Sequence, residues 1–202
     1  MSSIVRRTAR PALVLSFLAL ALFAASCGKK ESAEKEATED KTSAAVVPPA
    51  APALTDANIA AIVLTANKMD IENANMALGK TKSAAVKAFA NQMITDHSSV
   101  NKQATDLATK LSLKPEDDDT SRQLEENSDA TRKTVEDVKG AAFDKAYIDN
   151  EVVYHQAVID MLDKTLIPGA TNSELKALLQ GVRPAFEAHL DHAKHVQATL
   201  AK

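Results

Sequence analysis

From Leu54 to the end of the chain, apolar residues return every three or four positions, the repeat of one helix face. The first such segment starts at Thr55–Asp56, suited to an N-cap, and runs to about Leu78. Ile59, Ile62, Ala66, Met69, Asn73 and Met76 form its stripe. Gly79 in "GKTK" turns the chain. The second segment, about Ser83 to Leu111, carries Val86, Ala90, Met93, His97, Val100, Ala104 and Ala108 in line, and Pro115 in "KPEDDDT" breaks it. A polar helix over about Thr120 to Val138 has few large apolar residues, Leu124, Val135 and Val138, which predicts an outer position; Gly140 ends it. The fourth segment, Ala141 to Leu166, aligns Ile148, Val152, His155, Ile159 and Leu162. After "IPGAT", a last helix from about Ser173 to Leu200 aligns Leu175, Leu179, Val182, Phe186, His189, Ala193 and Val196. Pro184 lies inside it and predicts a kink.

Two short turns place the first helix antiparallel to the second and the fourth antiparallel to the fifth. Two hairpins joined by a long connection predict an all-α fold, a ferritin-like four-helix bundle with an extra crossover helix. The heptad rhythm also fits a coiled-coil dimer.

Before Leu54 the pattern is different. Arg6, Arg7 and Arg10 precede the apolar run "PALVLSFLALALFAA", and "AASC" follows, ending at Cys27. A basic start, a short apolar run and small residues before a cut describe an export signal over residues 1–26. The run is shorter than the roughly 20 residues of a membrane span. Cys27 is the single cysteine of the chain and stands where a lipoprotein is cleaved and lipidated, although Ala24 occupies the position where leucine is usual. The expectation is a chain tied to the periplasmic face of the cell envelope through lipid on Cys27. Gly28 after the cysteine favours the outer membrane. Residues 27–53, charged and then rich in Ala and Pro, predict a disordered tether, leaving 54–202 as the folded domain.

Aromatic residues make up 3% of the chain, so the bundle must pack through aliphatic side chains and alanine. A net charge of −3 with both signs mixed argues against a nucleic-acid partner. With Cys27 assigned to the anchor, no phosphate loop and no serine elbow, nothing points to a nucleophilic enzyme. "HLDHAKH" holds three of the five histidines, but on a helical wheel only His189 faces inward. His192 falls on the flank and His195 toward solvent. His97 and His155 occupy the stripes of their helices, Glu151 sits one turn before His155, and Glu72 borders the first stripe. Glu72, His97, Glu151, His155 and His189 are the candidate ligands for a transition metal such as iron or zinc. Neither Glu-x-x-His motif of di-iron bundles is present. The leading reading of the same residues is a set of buried histidines satisfied by carboxylates, water or carbonyls, in an envelope protein that acts as a binding or structural module; a metal-binding or redox protein is the alternative. The predicted hairpin register puts Glu151 level with His189.

"VKAFANQMITDHSSVNKQATDLA", "FDKAYIDNEVVYHQAVI" and "ELKALLQGVRPAFEAHLDHAKHV" together resemble the bacterial family called domain of unknown function 4142. The resemblance covers about Thr55 to Leu200 and rests on Asp96–His97, Phe143–Asp144 with Tyr147, His155, and Pro184 with His189. It implies an exported helical bundle, places His97, His155 and His189 at positions matching the family pattern, and sets Glu72 at the acidic position of its first helix. Arg183 departs from the apolar residue usual before the proline. No activity, cofactor or protein partner is implied.

Overall fold

The computed structural model describes residues 54–201; the export signal, Cys27 and the tether lie outside them. Those residues form five helices and, among them, no strand. The helices are α1 (Asp56–Lys80), α2 (Ala84–Lys110), α3 (Asp119–Thr134), α4 (Gly140–Met161) and α5 (Ser173–Leu200). A π-helical turn, Leu162–Leu166, and a last turn, Ile167–Gly169, prolong α4. None of the helices is long and apolar enough to cross a membrane.

Local chemistry sets the ends. The Thr55 hydroxyl accepts from the Asn58 amide while the Asn58 side chain accepts from the Thr55 amide, closing a capping box. Asp118 does the same with Ser121 at the start of α3, so the "EDDD" run is a helix start. Asn172 caps α5. Gly140 begins α4 instead of ending α3, and its φ of 61° is one that a side chain would oppose. Helix α5 runs unbroken through Pro184.

The contacts fix the topology. Helices α1, α2, α5 and α4 pack in a ring, and α3 lies against α1. Asp56, at the start of α1, accepts from the Thr171 amide (2.8 Å), the Thr171 hydroxyl (2.5 Å) and the Asn172 amide (3.0 Å). The end of α2 meets the same end of the bundle, where Glu116 donates its amide to the Ala57 carbonyl. At the opposite end Lys80 donates to the Val135 carbonyl (2.6 Å) and lies over the Phe143 ring. The chain therefore runs up α1, down α2, up α3, down α4 and up α5. As its polarity predicts, α3 is the outer crossover. It buries Ser121 and Ser128, and Arg132 donates to Ser128 (2.9 Å) and Asn73 (3.3 Å).

The core has two apolar halves. One gathers Ile59, Ile62, Val63, Val100, Ile159, Leu162, Leu179 and Phe186. The other gathers Ala74, Ala77, Val86, Phe89, Met93, Phe143, Tyr147, Ile148 and Val196. Between them every ring helix contributes buried polar residues: Asn67, Asp70 and Asn73 from α1, His97 from α2, Glu151 and His155 from α4, and His189 from α5.

Asp56 ties the start of α1 to the loop that launches α5. Burial raises its carboxyl, but the bonds from Thr171 and Asn172 outweigh that and hold it below the ordinary value. Asp56→Ala removes all three bonds and should cost about 1–3 kcal/mol in urea unfolding.

Candidate metal centre

Three imidazoles meet in the polar layer. The ring centroids of His97, His155 and His189 are 5.7, 5.2 and 5.4 Å apart, and the residues are no more than 3% exposed. Each ring has one nitrogen tied to an acceptor. His97 donates from Nδ1 to Asn67 Oδ1 at 2.6 Å, and Asn67 is oriented by its own donation to the Val63 carbonyl at 2.7 Å. His155 donates from Nδ1 to the Glu151 carbonyl at 3.0 Å. His189 donates from Nε2 to Asp96 Oδ2 at 2.9 Å. These acceptors fix the tautomers and leave lone pairs on His97 Nε2, His155 Nε2 and His189 Nδ1. All three atoms are buried and without a hydrogen-bond partner.

The bare nitrogens face one another and a carboxylate. One nitrogen from each ring lies within 4.8 Å of one from each of the others. Asp70, fully buried on α1, brings Oδ2 to 2.9 Å from His97 Nε2 and 3.4 Å from His155 Nε2. Neither Asp70 oxygen is placed for a hydrogen bond. On the far side of His155, Glu151 Oε2 lies 3.4 Å from Nδ1.

The charge states follow from this burial. Burial raises the Asp70 carboxyl, but the neighbouring His97, His155 and His189 outweigh it and hold Asp70 below the ordinary value. Burial, with the Asp70 charge added, pushes Glu151 well above the ordinary range and favours its neutral acid form. Burial lowers His155 to about 4 against the opposing pull of Asp70, and lowers His189 against its bond to Asp96. The lowered His155 and His189 favour neutral rings at these two positions, and the lowered Asp70 favours its carboxylate, the forms that metal ligands require.

The donor set fits a cation. Bonds of about 2.0–2.1 Å to a tetrahedral ion place its ligands about 3.3 Å apart. The separations of Asp70 from His97 and His155 are near that edge; the three histidines form one candidate ligand group, and Asp70, Glu151 and His155 form a second that shares His155. Each outward tie is of the kind that orients a ligating histidine.

Four of the five residues singled out from the sequence fall within this layer, and Glu72 does not. Its carboxylate is at the surface, 3.2 Å from Arg132 Nη1 and 3.9 Å from Lys68 Nζ. Asp70, two residues earlier and about 200° around the helix, is the acid that α1 sends inward. The expected Glu151–His189 pairing is also replaced, because His189 pairs with Asp96 and Glu151 adjoins His155. Gln197–Asp149 and Arg183–Asp163 both centre the second hairpin at Ser173, about one turn later than predicted. Tyr147 is buried in the core, and Tyr154 donates to the Ala66 carbonyl. His192 packs on Phe89 and meets Gln92 outside the cluster, while His195 is exposed.

The family model described as "Domain of unknown function (DUF4142)" matches residues 41–196. Among curated proteins none matches the chain. Among solved structures, a Streptomyces coelicolor protein named as a secreted protein DUF305 is similar in fold. Its TM-score is 0.61 at 13% identity, covering 71% of this chain and 92% of that one.

His155 gives the metal-free protein a defined pH response. Its pKa is about 4 folded against an ordinary 6.5, so between these values the unfolded chain binds the extra proton. This contribution is complete above pH 6.5 and is lost as pH falls toward 4, by roughly 3 kcal/mol in all. Urea unfolding with chelator present should show the His155→Gln variant losing less stability than the parent between pH 7 and 4. Parallel losses would mean that His155 is not buried as a neutral ring.

Proposed function

Because the chain belongs to the DUF4142 family, whose description assigns no activity, its function must be read from the polar layer, and we propose that it is an exported protein that binds a transition-metal ion inside a helical bundle. The observation that carries this reading is the convergence of three imidazoles beside a buried carboxylate, with Asp70 Oδ2 at 2.9 Å from His97 Nε2 and 3.4 Å from His155 Nε2. Hydrogen bonding alone satisfies one nitrogen per ring and leaves His97 Nε2, His155 Nε2, His189 Nδ1 and both Asp70 oxygens orphaned. Each orphan costs on the order of 1–3 kcal/mol. One dication with His97, His155, His189 and Asp70 as ligands satisfies at least one atom of each. A set of imidazoles and a carboxylate without thiolate suits zinc, copper(II), iron or nickel over magnesium or calcium.

The up-down-down-up order with α3 as a single crossover supports a ferritin-like architecture. The centre differs from a di-iron site in its ligands, which are dominated by histidine. For location we propose the cell envelope: cleavage before Cys27, lipid on that residue, and residues 28–53 as a tether. The basic start, the apolar run and "AASC" support this. Gly28 favours the outer membrane. Cys27→Ser should abolish lipid labelling and release the chain from membranes; continued retention would refute the anchor.

Metal content tests the main reading. The protein, purified without an affinity tag or chelator, should carry about one equivalent of a transition metal by mass spectrometry. His97→Ala, His155→Ala, His189→Ala and Asp70→Asn should each lose it, and Glu72→Gln should retain it. A metal at 100 times its Kd adds about 2.7 kcal/mol of stability, which chelation should remove. Full occupancy in the three histidine variants would contradict the shared centre.

A further inference from the structure

The three outward ties of the imidazoles are not equivalent. Asn67, which holds His97, is 1% exposed, and the carbonyl that holds His155 belongs to the fully buried Glu151. His189 alone is held by a group that reaches solvent. Asp96 is 41% exposed in its side chain, although His189 behind it is 3% exposed. This pair lies on the seam between α2 and α5, where Asp96 borders an outer groove. Ser99, Gly181 and Ala185 line that groove together with Val100, Gln103, Leu178 and Val182. The two apolar halves of the core flank the layer and α3 lies against α1; a second groove runs along the α4–α5 seam, where Gln156 and Leu190 adjoin His155 and His189 in sequence.

Resting on the metal reading above, we infer that Asp96 is the uptake and release gate of the centre. The metal dication is drawn to its exposed carboxylate, displaces the His189 Nε2–H bond, and passes inward as the ring turns on its own helix. The bond then reforms and holds His189 with Nδ1 on the ion. A gate of this kind acts on both directions of transfer. Removing its charge slows uptake and release together and leaves affinity nearly unchanged. A group that only tuned the basicity of His189 would instead change affinity through release.

The test uses zinc handed from a chromophoric chelator to the purified metal-free protein, followed by stopped flow, with Kd measured separately. Asp96→Asn keeps an acceptor for His189 and deletes the charge. It should slow uptake about tenfold, weaken the dependence of uptake on ionic strength, and change Kd by less than threefold. Asp96→Glu should restore most of the rate. Unchanged uptake in Asp96→Asn, or a large rise in Kd at unchanged uptake, would overturn the gate while leaving the metal centre standing. Failure of the parent protein to take zinc or any other transition dication would overturn both.

Discussion

A carboxylate buried beside three imidazoles, with no hydrogen-bond donor of its own, is the constraint around which this bundle is organised. Asp70 is fully buried and both its oxygens lack partners. Removing such a group from water costs several kcal/mol unless a compensating charge is close. In the metal-free chain the groups nearest to it are His97 Nε2 at 2.9 Å and His155 Nε2 at 3.4 Å. The cost is localised, because the polar residues form one layer between two apolar halves. Each half draws residues from all four ring helices, and those antiparallel helices bracket the layer. The bundle supplies the stability, and the layer uses part of it to bury three imidazoles and two carboxyl groups.

How far the sequence revealed this depended on which faces were unambiguous. His97, His155 and His189 lie on helices with one dominant apolar stripe, and their inward placement was legible from spacing alone. Helix α1 is different because it is covered on two sides, by the ring and by α3. Its buried positions include Ile59, Ala60, Ala61, Ile62 and Val63 in succession, so no single phase stands out. A stripe through Met69 and Met76 brings Glu72 to its edge. The phase that faces the layer runs Val63, Ala66, Asp70, Asn73 and Ala77. An acid in a row otherwise made of valine, alanine and asparagine was the available signal for Asp70. Asn67 beside it carried none, since its role depends on the ring of His97.

The second hairpin shows a different limit. Its register was read from the loop "IPGAT", but α4 continues through a π-helical turn to Gly169 and moves the turning point to Ser173. That displacement of about one turn separates Glu151 from His189 and lets Asp96, a flank residue of α2, take the ring instead. The starts of α1 and α5 and the outer position of α3 followed from caps and polarity. Cross-helix partners did not, because they depend on register to within a single turn.

The most direct measurement is X-ray absorption at the metal edge of the protein loaded with one equivalent of zinc. Three imidazole nitrogens and one carboxylate oxygen at about 2.0–2.2 Å are expected, with the multiple-scattering pattern of histidine rings. A shell of water and carboxylate oxygens with fewer than two imidazoles would place the ion elsewhere on the protein and contradict a metal centre in the polar layer.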